Sequence, residues 1–116
     1  MTTENTGDTY LQIISALANP QRLRIMAALN NRQVYVSELA RELQISRPLL
    51  YMHLQRLENV GLVIGHHELS DDGKALRFYQ AAEFSEQLSL ERISEAVKTL
   101  TNDGEIEKKE RKKDEY

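Results

Sequence analysis

Cysteine is absent from this 116-residue chain, which excludes disulfides and thiolate metal sites. Tryptophan is absent as well. No apolar run approaches the roughly 20 residues that span a bilayer. The opening MTTENTGDTY lacks the apolar core of a secretory signal. A soluble, cytoplasmic protein with no membrane partner is therefore expected. Catalytic signatures are missing too. There is no Ser/His/Asp grouping with supporting motifs, no phosphate loop, no HExxH and no cysteine nucleophile. Asp71-Asp72 reads as a turn pair, not an acid/base dyad, so an enzyme is not expected.

Histidine is scarce, with three residues. His66 and His67 are neighbours on a predicted strand and point to opposite faces, so they cannot both ligate one ion without distorting it. His53 falls toward the core side of a predicted helix, where a satisfied, half-buried histidine is the ordinary reading. No metal and no cofactor are expected.

The chain is long enough for one domain with one core, and its 41% hydrophobic content suits a globular protein. The net charge of −3 is unevenly spread. Residues 20–80 carry eight basic and six acidic side chains, whereas residues 81–116 carry ten acids and seven bases. A mildly basic middle thus sits inside an acidic molecule, which favours recognition by shape and dimerisation over a strong general phosphate field.

Residues 1–7 are polar and read as disordered. Residues 8–18 place Leu11, Ile14, Leu17 and Ala18 on one helical face. Asn19-Pro20 is a helix start, and the helix it opens is expected to bury Leu23, Met26, Ala27 and Leu29. Val34-Tyr35-Val36 is a short β-prone run suited to an edge strand. Ser37 is expected to cap the next helix, which buries Leu39, Ala40 and Leu43, and Ile45 fills the following turn. Ser46 caps a helix over 47–60 with Pro48 in its first turn. Gly61 stands at a left-handed C-cap. LVIGHHEL and KALRFYQA then form a hairpin around Ser70-Asp71-Asp72-Gly73. Ser89 caps a last helix whose apolar stripe is Ile93, Ala96, Val97 and Leu100. Residues 101–116 read as a charged tail.

Residues 37–65, SELARELQISRPLLYMHLQRLENVGLVIG, are the most informative stretch. Two short helices, a tight turn and the first strand of a hairpin make a helix-turn-helix followed by a wing. The expected fold is mainly α with a small β-hairpin wing, in the order α-α-(β)-α-α-β-β-α. Residues 8–100 form this domain together with its terminal dimerisation helices. In the helix from Arg47, Leu50, Leu54 and Leu57 anchor one side, while Arg47, Pro48, Tyr51, Met52 and Gln55 point the other way. Such a helix can place side chains against base edges in the major groove. Ser46 and the free N–H groups at that end can hold a phosphate. Arg56, Lys74 and Arg77 are placed for the backbone. The terminal apolar residues Leu11, Ile14, Ile93, Val97 and Leu100 are expected to form a dimer interface.

LANPQRLRIMAAL, then VSELARELQISRPLLYMHLQRLENVGLV and a wing containing RFYQ, resemble the ArsR-like family of winged helix-turn-helix repressors over about residues 10–82. The resemblance implies a homodimer on a palindromic operator in double-stranded DNA. It puts Arg47, Pro48, Tyr51 and Met52 at base-reading positions and Arg77 at a wing position that meets DNA. The chain departs from the family at three places. Val34-Tyr35-Val36 stands where founding members carry a cysteine pair, which excludes arsenite-type sensing. The last helix lacks the histidine of the zinc-binding members. Gln44 occupies the turn position where glycine is usual. The expected function is a sequence-specific transcriptional regulator, a repressor. The alternative is a winged-helix module that docks a protein partner through the same exposed helix.

Overall fold

The computed structural model describes residues 6–101. The expectations for residues 1–5 and 102–116 lie outside them. Eight elements follow in order: α1 (Gly7–Leu17), α2 (Pro20–Ala28), β1 (Gln33–Tyr35), α3 (Val36–Leu43), α4 (Arg47–Asn59), β2 (Val63–Leu69), β3 (Ala75–Ala81) and α5 (Leu90–Val97). This is the winged helix-turn-helix order read from the sequence. α1 starts at Gly7, inside the stretch expected to be disordered.

Two compact units divide the chain. Among the described residues, one holds 6–12 and 86–101, and the other holds Ile13–Ser85. In the terminal unit the first residues of α1 meet α5 and the residues flanking it. The Gly7 N–H donates to Thr99 Oγ1 at 2.7 Å, Tyr10 Oη donates to the Gln87 carbonyl at 2.6 Å, and the Arg92 guanidinium sits 4.2 Å from the centre of the Tyr10 ring. A side chain at position 7 would collide with the Ala96 carbonyl, so the helices meet at a glycine. Ser89 caps α5 by accepting from the Arg92 N–H.

The larger unit is built around fully buried Ile25, Leu29, Val34, Leu39, Leu50, Leu54, Leu57 and Leu62. Its sheet has the order β1-β3-β2, both pairs antiparallel. β1 pairs residues 33–35 with 78–80 at the root of the hairpin, so the edge strand anticipated at Val34-Tyr35 exists. Val36, expected in that strand, is instead the first residue of α3. Ser37 is therefore not the cap: Tyr35 takes the N-cap position with no side-chain bond.

α2 corrects a second expectation. Its inward residues are Arg22, Ile25 and Leu29, while Leu23 is 54% exposed and Ala27 is exposed. The helix is apolar on several faces, and the inward one is the i, i+3, i+7 row that begins at an arginine. The Asn19 side chain caps it by accepting from the Gln21 and Arg22 N–H groups.

The C-terminal ends of α3 and α4 share one geometry. After α3, the Ile45 N–H bonds the Ala40 carbonyl and the Gln44 N–H bonds the Arg41 carbonyl. After α4, Leu62 bonds Leu57 and Gly61 bonds Glu58 in the same manner. Both are left-handed caps that satisfy the last carbonyls. Gly61 takes φ 81° freely, but Gln44 takes φ 58°, a conformation that costs a non-glycine residue about 1 kcal/mol.

Candidate nucleic-acid interface

Ser46 accepts from the Leu49 N–H and starts α4, with Pro48 in the first turn. The leucines at 50, 54 and 57 are completely buried, which fixes the roll of the helix. The opposite face then carries three adjacent pairs one turn apart: Arg47 and Pro48, Tyr51 and Met52, Gln55 and Arg56. All six are exposed, Tyr51 to 41% and Met52 to 53%. No carboxylate interrupts this face, because the only acid of α4 is Glu58, near its far end.

The sequence-predicted residues are thus brought together on one surface of α4. Arg47 is not fully free: its Nη1 donates to Ser37 Oγ at 3.0 Å, a hydroxyl at the start of α3. Ser37, read from the sequence as a cap, instead orients the first arginine of α4. Only the tertiary crossing of the two helices reveals this.

Lys74 stands exposed at the wing tip, which Ser70 closes by accepting from the Lys74 N–H at 3.1 Å. The Ser70 hydroxyl also donates to Asp72. That bond, followed by the Lys74 backbone, holds the Asp72 carboxyl below the usual carboxylate range. The tip therefore holds Asp71 and Asp72 close to the exposed Lys74. Arg77 lies mid-strand, with its side chain only 28% exposed. The Tyr79 hydroxyl, outweighing partial burial, raises its pKa further. Its partners are residues of the protein itself: Tyr79, His67 and Glu58.

Behind α4 lies a buried polar link that the sequence showed only in part. Arg22 is 9% exposed and His53 is 6% exposed. Arg22 Nε donates to the Ala16 carbonyl at 2.6 Å, and Nη1 lies 3.1 Å from His53 Nδ1. Arginine has no acceptor, so His53 is the acceptor, neutral with its proton on Nε2. Burial, then the Arg22 charge, lowers the His53 pKa. Burial, then Arg56, lowers that of Arg22. The pH consequence follows from the sign. The folded state binds the His53 proton less readily than the unfolded chain, so its contribution is complete above the ordinary histidine value of about 6.5 and is lost as pH falls through the lowered one. The melting temperature should drop between pH 7 and pH 5, and His53→Gln should flatten that drop. Equal slopes in the two proteins would refute the link.

A helix seated on leucines, with an exposed, carboxylate-free outer face and a three-stranded sheet beside it whose hairpin is the wing, defines a winged helix-turn-helix protein. Residues 19–64 match the family described as bacterial regulatory protein, arsR family. An uncharacterized HTH-type transcriptional regulator of Methanocaldococcus jannaschii, MJ0229, is 44% identical over 69 residues, which cover 60% of this chain and 72% of that protein. The chain belongs to the ArsR family of transcriptional regulators and carries its winged helix-turn-helix DNA-binding fold. Among solved structures, HlyU from Vibrio cholerae is 27% identical, with a TM-score of 0.58 over 78% of this chain and 86% of that one. The homodimeric winged helix-turn-helix DNA-binding domain of Mb0332 from Mycobacterium bovis is 24% identical, with a TM-score of 0.58 over 86% and 83% of the two chains. It shares the fold. Among the described residues no helix is long and apolar enough to cross a membrane, and no three His, Cys, Asp or Glu side chains gather as a metal site.

Proposed function

We propose that this regulator is a homodimeric repressor that reads a palindromic operator in the major groove. The observation that carries the reading is the exposed, carboxylate-free stretch of α4 from Arg47 to Arg56, held in place by three buried leucines. In this reading Ser46 and Pro48 seat the N-terminus of α4 on the duplex. Arg47 and Tyr51 read base edges, with help from Met52 and Gln55. Arg56 and Lys74 hold phosphates, and Arg77 serves the wing.

Dimerisation is supported by apolar surface left open in the terminal unit. Leu11 is 46% exposed, Ile93 40%, Val97 56% and Leu100 36%. Ile14, farther along α1, is half-buried. Apolar side chains at this density on short helices favour burial against a second copy. The homodimeric state of the Mycobacterium bovis domain agrees with that reading. The sign of regulation rests on the family resemblance. The reading assigns no cofactor and no catalysis, and it places the protein in the cytoplasm with the chromosome.

Sedimentation equilibrium and a salt titration against duplex DNA test it together. A dimer whose log affinity falls with log salt by about 0.9 per phosphate contacted is expected. A monomer would remove the paired-groove geometry. A flat salt response would favour the protein-docking alternative.

A further inference from the structure

Arg77 differs from the other cations near the duplex face because every nitrogen of its guanidinium is engaged by the protein. Nε donates to Tyr79 Oη at 3.1 Å, Nη1 donates to His67 Nδ1 at 3.3 Å, and Nη2 lies 3.6 Å from Glu58 Oε2. The guanidinium carbon sits 5.2 Å from the centre of the Tyr79 ring. Tyr79 and His67 belong to the wing, but Glu58 belongs to α4. The arginine therefore joins the hairpin to the helix that faces DNA.

The meeting point is a bare stretch of backbone. A Cβ at Gly65 would stand 2.6 Å from Tyr79 Cε1, 2.8 Å from Arg77 Nη2 and 3.1 Å from Glu58 Oε2. Gly65 pairs with Tyr79 across the hairpin, and His67 pairs with Arg77, so the strand register delivers these groups to one spot. By contrast, among the described residues Arg47 bonds only a neutral hydroxyl, and Arg56 and Lys74 have no carboxylate partner within ion-pair distance.

A half-exposed ion pair contributes little alone. A planar guanidinium held at several points does more, because its rigid fork fixes direction as well as distance. We propose that Arg77 is a positioning residue: with Glu58 it clasps the wing to α4, so that wing tip and base-reading face meet the duplex in one fixed geometry. This rests on the DNA-reading proposal above. It differs from a phosphate contact in a testable way. A phosphate ligand needs only a positive charge at position 77 and competes with Glu58. A clasp needs the guanidinium fork and needs Glu58.

The test uses a duplex selected from a random pool by the wild-type protein. Its affinity is measured for wild type, Arg77→Lys and Glu58→Gln. Hydrogen exchange of the β2 and β3 amides is measured without DNA. The clasp predicts that each variant binds about tenfold more weakly and that exchange in the hairpin speeds up in both. The weakening in Glu58→Gln is diagnostic, since removing a carboxylate would otherwise favour an anionic ligand. Retained affinity in Arg77→Lys, tighter binding in Glu58→Gln, or unchanged hairpin exchange would overturn it. If the wild type retains no duplex, the DNA reading fails by itself, and the exchange measurement still decides for or against the clasp.

Discussion

Arg47→Ala is expected to abolish preference for the operator while the fold survives. The side chain is exposed, and among the described residues its one side-chain bond is to the Ser37 hydroxyl. Surface changes of this kind usually alter stability by no more than about 0.5 kcal/mol. Against DNA the same side chain has the reach and the fork to engage a base edge at two points, a contact that discriminates by about 1–3 kcal/mol. One such loss is about tenfold to a hundredfold in affinity, and a symmetric dimer suffers it at both half-sites. Gel shifts with operator and scrambled duplexes, beside a thermal melt, check both halves of the expectation. An unchanged operator affinity would take base reading away from the N-terminus of α4.

The second large effect is on stability. Arg22→Ala leaves the Ala16 carbonyl and His53 Nδ1 without their donor, at a position that solvent barely reaches. Each buried acceptor left unpaired costs about 1–3 kcal/mol. Part of this is offset, because a buried cation with no carboxylate partner among the described residues is itself expensive. A net destabilisation of about 2–4 kcal/mol is expected, a large share of the roughly 5–15 kcal/mol that holds a domain together. Exchanging both partners, Arg22→Leu with His53→Leu, should recover part of the loss, since one unmatched polar group then disappears with its donor. Urea midpoints would show it. A midpoint for Arg22→Ala equal to that of wild type would mean that the buried link contributes nothing.

Arg22 also shows where sequence reading stops. Helix α4 was legible because its signals agree: Ser46 and Pro48 at the start, leucines at a helical interval, glycine after the end. The hairpin was legible for the same reason, and β1 from three β-prone residues. The left-handed Gln44 was legible from the position that glycine usually takes. In α2 the apolar residues surround the helix, so periodicity selects no face, and an arginine reads as solvent-facing by default. The inward turn of Arg22 depends on an acceptor 31 residues away. The start of α3 departs from the expectation because Ser37 has the chemistry of a cap but is used by Arg47 instead. Glu58 and Gly65 gave no local signal at all. Their role arises only when strand register and helix packing bring position 65 under position 77.

β1 ends at Tyr35 and α3 begins at Val36, so no slack separates the sheet from the first helix of the DNA-binding pair. The strand is hydrogen-bonded to the hairpin at its base, leaving the far end of the hairpin as a cantilever. A displacement of that cantilever would be passed through β1 into α3, with no loop between them to absorb it.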